Sequence, residues 1–474
     1  MAWRDLPIGA QLFQNLDEQA ITRSTAALEN AFVTEAAGLS GFPGLVEFSR
    51  LGDNGQVYLH DWRDQDDDLI AVTSEGRVYR VDQDGDAQDV TGVPVSGGRR
   101  VVFAKTDDEL LMAAGGKIIG YAGDRTFVLS EDAPESTHVG YVDGYTLAIE
   151  ARSQRFYHTA PGQSRSWDPL DVFTAEGKAD DLNALLVTEF RELLLAGEDS
   201  VEQFDRLPNG ERPFFRRWAS GQGVFAPYTL VNVDAGAWAV NRAREFYRLS
   251  AQTARPVSDP IGRILVGIED WEGAWAASCL VGGQKFIVLQ IPRAASQYGE
   301  GMTFGLDYRS GRWFTLYGWD ATRGLPTRWP GWSIHQLNGR TFVGGQGRIY
   351  ELRVDAHDNA GSPRRVVWRS ANYDASAFSK RGADEVRVNN IRARVKIGVG
   401  SSNAARDPVM SLRVKRDNGA WSRWVDKSIG RTGDDGTFLE FGNFGQGYSF
   451  QVEVHARDAV QFELVKLQAD VDLI

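Results

Sequence analysis

The side chains best suited to bind a metal or move a proton near neutral pH are the six histidines, at positions 60, 138, 158, 335, 357 and 455. They are scattered along the chain, and no two stand at the short spacing that puts neighbouring imidazoles on one ion. A calcium loop needs oxygen ligands at alternate positions and a glutamate at the twelfth. Asp82-Gln-Asp-Gly-Asp86 opens like such a loop, but its twelfth position is Val93. The acidic run Asp64-Gln-Asp-Asp-Asp68 offers carboxylates without that frame. Both are read as solvated turns, with calcium binding as the alternative. No Gly-x-Ser-x-Gly elbow is present, and Gly115-Gly-Lys117 lacks the upstream glycine and following Ser/Thr of a phosphate loop.

Sugar hydrolysis would need two carboxylates flanking the scissile bond. Among 64 acidic residues no pair stands out. Asp417-Asn-Gly-Ala-Trp421 is similar to the turn of sialidase blades, but it occurs once. Cys279, the single cysteine, excludes an internal disulfide and reads as a small buried hydrophobe. No catalytic residue, metal ligand or cofactor is expected. The remaining candidates are Trp319, Trp329 and Trp332, crowded with Pro326, Pro330 and several glycines into one loop. Exposed, they would anchor a partner subunit; folded back, they would cap the end of the domain.

The elements that must carry these residues are short strands. Leu182–Asp205 has leucines at helical spacing. Its neighbours, however, share its layout of apolar run, turn and apolar run, and are β-branched and aromatic: Val78-Tyr-Arg-Val81, Tyr145-Thr-Leu-Ala-Ile149, Glu245-Phe-Tyr-Arg-Leu249. The stretch is therefore read as a meander, Leu182–Thr188, Glu192–Ala196 and Ser200–Phe204, with a helix as the alternative. From Val46 to about Asp355 such groups recur every 40–50 residues or so, the mark of a β-propeller. Six blades are expected, or seven if Ser333–Leu337, Thr341–Val343 and Arg348–Val354 begin another rather than close the ring. Runs apolar throughout, such as Phe286-Ile-Val-Leu289, suit sheets covered on both faces.

The pattern changes after Pro363. Ile391, Ala393, Val395 and Ile397 alternate with the basic Arg392, Arg394 and Lys396, Met410, Leu412 and Val414 with Ser411, Arg413 and Lys415, and Tyr448, Phe450, Val452 and Val454 with polar neighbours. Alternation means one face in a core and one in water, hence a β-sandwich. The phase slips between Leu464 and Leu467, so a bulge or turn is expected near Val465. The expected division is an arm over 1–45, with weak helical character at Asp17–Thr34 (Ala20, Ile21, Ala27, Leu28 and Ala31 as its apolar positions) and a rigid turn at Ser40–Leu45 entering the first strand, then an all-β propeller over 46–358 and a sandwich over 364–474.

The 474 residues carry 42% apolar and 24% charged side chains and a net charge of −12. That composition describes a folded chain. It provides no basic stripe for gripping nucleic acid and no apolar run long enough to span a bilayer. No secretory leader is legible at Met1-Ala-Trp-Arg-Asp-Leu-Pro7, so the product is expected to stay where it is made or to leave by lysis.

Certain stretches carry a resemblance: Ser40-Gly-Phe-Pro-Gly-Leu45, Trp167-Asp-Pro-Leu170, Glu192-Leu-Leu-Leu-Ala-Gly197 with Val201-Glu-Gln-Phe204, and Lys285-Phe-Ile-Val-Leu-Gln-Ile-Pro-Arg293 followed by Asp307 and Gly311-Arg-Trp313. In order and spacing the chain resembles the packaged-DNA stabilisation proteins, the tail nozzles or tail accessory factors of short-tailed bacteriophages. It departs from them at Trp319–Trp332 and before Leu39. The resemblance implies a propeller-plus-sandwich subunit in a homohexameric ring under the head-to-tail adaptor ring. There it extends the DNA channel, helps retain packaged DNA and meets tail fibre, spike or needle proteins. It implies a virion tail protein assembled in the host cytoplasm, without catalytic residues; DNA would pass without sequence-specific binding, and no membrane insertion is involved. The alternative is a carbohydrate-binding or carbohydrate-cleaving propeller, a tail-associated adhesin.

Overall fold

The computed structural model describes residues 3–6, 8, 27–34, 38–62, 68–150, 153–175, 177–207, 213–234, 236–374, 385–396, 407–417, 419–430 and 438–474. Residues 17–26 of the expected helical arm, 64–67 of the acidic run, Ile397 and Asn418 lie outside them. The fold is all-β, in two compact units. One comprises Glu47–Ala295 and Pro330–Leu352. The other gathers Met1–Val46, Ser296–Trp329 and Arg353–Ile474.

The first unit is a propeller. Its blades begin with the four-stranded antiparallel sheets starting at Val57–Asp61, Val102–Lys105, Val139–Val142, Ala184–Val187 and Val231–Asn232. Trp275–Val281 and Gln284–Ser296 take the sixth position. In the seventh sheet, Ser333–Leu337, Arg340–Gly344 and Arg348–Arg353 are joined by Gly44–Arg50 from the start of the chain. The ring thus has seven positions, not six. It is closed by an N-terminal strand that the sequence reading had placed only as an entry to the first blade. Arg348 Nη1 donates to Glu47 Oε2 at 2.8 Å, and Phe48 packs on Phe342 with ring centroids 4.9 Å apart, fixing this closing strand.

The stretch Leu182–Asp205 is a meander. Ala184–Val187 pairs with Leu193–Ala196, and Leu193–Ala196 with Val201–Arg206, in the register Leu186↔Leu194 and Leu193↔Phe204. Strand alternation explains why a leucine run suits a blade: successive side chains leave opposite faces. Leu193 and Leu195 enter the core shared with the third blade, while Leu194 and Ala196 enter the core shared with the fifth. All four are under 5% exposed. Turn chemistry agrees: Asp143 and Gly144 take φ of 49° and 90°, the left-handed pair of a two-residue hairpin. Gly85 also has positive φ, and a Cβ there would lie 2.2 Å from the Phe48 carbonyl oxygen.

The second unit holds two main sheets. One has the order Ala31–Val33, Leu39–Gly41, Glu463–Leu473, Val386–Val395, Leu439–Gly447, with Trp3–Leu6 also on Glu463–Leu473. In the other, Gly299–Asp307, Arg312–Thr315, Ala27–Glu29, Val366–Arg369, Ser449–Ala456, Val409–Arg416 and Val425–Ser428 follow one another. Phe32 and Phe42 of the first meet Phe314 of the second. The division therefore differs from the expected one. Ser296–Trp329 leaves the propeller, and the described part of the arm forms strands, including Ala27, Leu28 and Ala31, which had been assigned to a helix. Asn30 explains that turn. At φ 53° it swings the chain from one sheet to the other while its Nδ2 donates to the Arg365 carbonyl at 2.9 Å and its Oδ1 accepts from Tyr317 N–H at 2.8 Å.

Met410, Leu412, Val414, Phe450, Val452 and Val454 point into the core as their alternation requires, but Tyr448 stays 61% exposed. Val465 is the extra residue of a bulge: Arg394 pairs with Lys466 and Val395 with Leu464. Glu453, 1% exposed, stands between two cross-strand arginines. Arg369 Nε donates to it at 2.6 Å and Arg413 Nη2 at 2.8 Å, with His455 Nε2 at 2.8 Å. Burial opposes its charge, yet His455 and Arg369 prevail and hold the carboxyl down at about 2. The Arg413 guanidinium also lies over Trp421 and Trp424.

Two outcomes follow from this packing. Leu194→Ala should cost about 2–5 kcal/mol in chemical denaturation, whereas Phe190→Ala, at a position 63% exposed, should change stability by no more than about 0.5 kcal/mol. A carboxyl whose folded pKa is depressed adds stability that is complete above its ordinary value and lost as pH falls through the folded one. The thermal midpoint of the native chain should therefore exceed that of Glu453→Gln at neutral pH, and the gap should close between pH 4.5 and about 2.

Candidate functional site

The first strands of the blades lie beside one another around the ring, Ser333–Leu337 next to both Val57–Asp61 and Trp275–Val281. Polar residues on these innermost strands face the axis, and two groups of them meet there. The first centres on Arg100, just before Val102–Lys105. Its guanidinium lies over Tyr58 of the first blade at 5.1 Å and Trp275 of the sixth at 4.7 Å. Its Nη1 donates to the Trp332 carbonyl, on the approach to the seventh, at 2.6 Å. Burial pushes the guanidinium down to about 10, so it remains charged at neutral pH. A side chain from the second blade thus touches the first and sixth blades and the approach to the seventh.

The second group is His60, Asp61, Lys105 and His335. His60 and Asp61 end the first innermost strand, Lys105 ends the second, and His335 is in the middle of the seventh. Lys105 Nζ donates to Asp61 Oδ2 at 2.6 Å. Asp61 Oδ1 lies 3.2 Å from His60 Nδ1 and 3.1 Å from His335 Nε2. The two imidazoles are 4.9 Å apart, and His60 also packs on Phe103. Burial, reinforced by His335, pushes His60 down to about 4. Asp61 is held well below the ordinary carboxylate range: burial opposes this, but His335, His60 and Lys105 outweigh it. The expectation that the histidines stay scattered is thus corrected, because ring closure brings His60 to His335 across most of the sequence. The one signal in the chain was local: His60-Asp61 ends a strand that is otherwise apolar, Val57-Tyr-Leu59.

The three tryptophans go to different places. Trp319 is part-exposed on the hairpin Tyr317–Asp320 and Leu325–Arg328, opposite Pro326. Trp329, 2% exposed, is inside the fold and offers no surface, so of the two readings the folded-back one describes it and the exposed anchor does not. The Trp332 side chain is half-buried. Asp82 spends its Oδ1 on the N–H groups of Asp84 and Asp86, at 3.0 and 2.9 Å, as a turn residue does. Asp417 Oδ1 likewise accepts from Tyr448 and Ser449 N–H. Cys279 is buried, its thiol pushed up to about 12 by that burial. A cleft of about 500 Å³ between the fourth and fifth blades is lined by Phe190, Trp218, Arg217 and Gln203, with Glu192 its single carboxylate. Among the described residues no helix is long and apolar enough to cross a membrane.

No curated protein matches the chain. Among solved structures it is similar to the WD40 β-propeller domain of Doa1, at 14% identity over 66% of this chain and 97% of that one, with a TM-score of 0.40. It is also similar to YCF48 from Cyanidioschyzon merolae, at 10% identity over 65% and 99% of the two chains, with a TM-score of 0.43. The extracellular domain of the one-component system BT4673 from B. thetaiotaomicron matches at 10% identity over 88% of this chain and 58% of that one, with a TM-score of 0.44. A family model, described as Bacteriophage P22 Gp10, beta-propeller, matches residues 39–357, from the strand beginning at Leu39 to the end of the last blade. With a propeller in the structure and that match over most of the chain, the protein belongs to this phage stabilisation family.

Proposed function

We propose that the chain is a tail nozzle subunit of a short-tailed phage: a structural virion protein, not an enzyme, that extends the DNA channel below the head-to-tail adaptor ring and helps retain packaged DNA. The observation that carries this reading is the family match over residues 39–357. Two physical features support it. Arg100 ties the second blade to the first and sixth across the inner strands, which suits a reading in which the channel for duplex DNA forms between copies, here six in a ring. A net charge of −12 gives passing phosphates no deep electrostatic trap, which suits a wall along which DNA slides.

Permanent rings of this kind bury more than about 2,000 Å² per interface, centred on apolar anchors. Leu325, 53% exposed at the hairpin that carries Trp319, is the anchor we assign to such a contact, with Trp319 beside it. Mixing the purified chain with its adaptor ring should give a complex that particle imaging resolves as six copies on one ring. Leu325→Asp should weaken that complex while leaving the thermal midpoint of the free chain in place. A chain that stays monomeric in the presence of the adaptor ring would sink the proposal.

A further inference from the structure

We propose that His60, Asp61 and His335 form a zinc site that clamps the first blade to the seventh. The ligand atoms of the three residues lie within 4.8 Å of one another. Asp61 Oδ1 is 3.2 Å from His60 Nδ1 and 3.1 Å from His335 Nε2. Ligand atoms around a tetrahedral zinc ion, with bonds near 2.0–2.1 Å, stand about 3.3 Å apart; both contacts to Asp61 Oδ1 already match this, and the two ring nitrogens, within 4.8 Å of each other, would settle to it on binding.

The same short distances would suit hydrogen bonds, and at His335 the alignment decides between the two. His335 Nε2 is buried 3.1 Å from Asp61 Oδ1, in ion-pair contact with it but outside the alignment of a good hydrogen bond. A buried ring nitrogen left without a well-aligned hydrogen bond is satisfied by a bound water or ion, and a cation shared with Asp61 Oδ1 would serve. Lys105 completes the arrangement. It bonds Asp61 Oδ2, the far oxygen, and so fixes the carboxylate while leaving Oδ1 free to coordinate. His60 Nδ1 now lies 2.8 Å from the Asp61 carbonyl oxygen and would give up that contact on binding.

Two imidazoles and one carboxylate select a borderline divalent ion over calcium or magnesium, which take mostly oxygen ligands. The side chains of His60, Asp61 and His335 keep 24%, 15% and 18% of their surface accessible, leaving a path for the ion and room for water as fourth ligand. The site spans the seam where the two ends of the propeller meet, since the seventh sheet joins Gly44–Arg50 to Ser333–Arg353 strands. A metal there cross-links blades that are distant in sequence, and zinc binding becomes stability of the closed ring.

The test uses the full chain, stripped with a chelator and dialysed, then titrated with zinc chloride. One equivalent should bind and raise the thermal midpoint. His335→Gln and Asp61→Asn should abolish both the binding and the rise, while His357→Gln, outside the cluster, should keep them. Anomalous diffraction at the zinc edge on the unmodified chain reports the ion directly, whether or not a variant folds, and should show one peak among the three side chains. Absence of that peak, binding below one equivalent, or equal binding by the native chain and a folded His335→Gln would overturn the assignment.

Discussion

A central blade strand that is apolar on both faces cannot stand alone. Leu193–Ala196 sends alternate side chains into two different cores, one shared with each neighbouring blade. The same holds for Leu69–Thr73 and Leu110–Ala113, every residue of which is buried. Each sheet therefore needs a partner on either side, and a row of such sheets would leave two apolar faces in water. Closing the row into a ring removes both ends, which is the physical reason for a propeller here. Closure is then the constraint on which the rest depends, and Gly44–Arg50 supplies it by entering the sheet of Ser333–Arg353 strands.

Closure has a second consequence, at the axis. Innermost strands that converge from every blade bring polar groups together where water is scarce, and each group has to be satisfied. Arg100 does this with two aromatic faces and a carbonyl. The pair His60 and His335 meets over Asp61, whose other oxygen Lys105 holds. These contacts tie blades that are not neighbours in sequence to one another across the inner strands.

Much of the fold was legible because burial on one face or two writes a direct pattern into a strand. The fully apolar runs, the alternation at Met410, Leu412 and Val414, and the phase slip at Val465 all follow from local rules that need no knowledge of partners. Other features depended on distant pairings and left little local trace. Ala27–Glu29 reads as weakly helical because alanine, leucine and glutamate are all good helix formers; its place between Arg312–Thr315 and Val366–Arg369 decides the matter. The loop-like surroundings of Trp329 left exposure and burial equally open, because burial is set by what folds over a residue. The His60 and His335 meeting was hidden for the same reason: it exists only once the first and seventh blades touch.

The most direct test of the closed ring is native-state hydrogen exchange of the backbone amides. If Glu47–Arg50 seals the propeller, its paired amides should open with the same free energy and the same denaturant dependence as those of Leu193–Ala196, on the far side of the ring. Fast exchange in the closing strand, with Leu193–Ala196 still protected, would mean that the blades stand without the seal and would contradict the account.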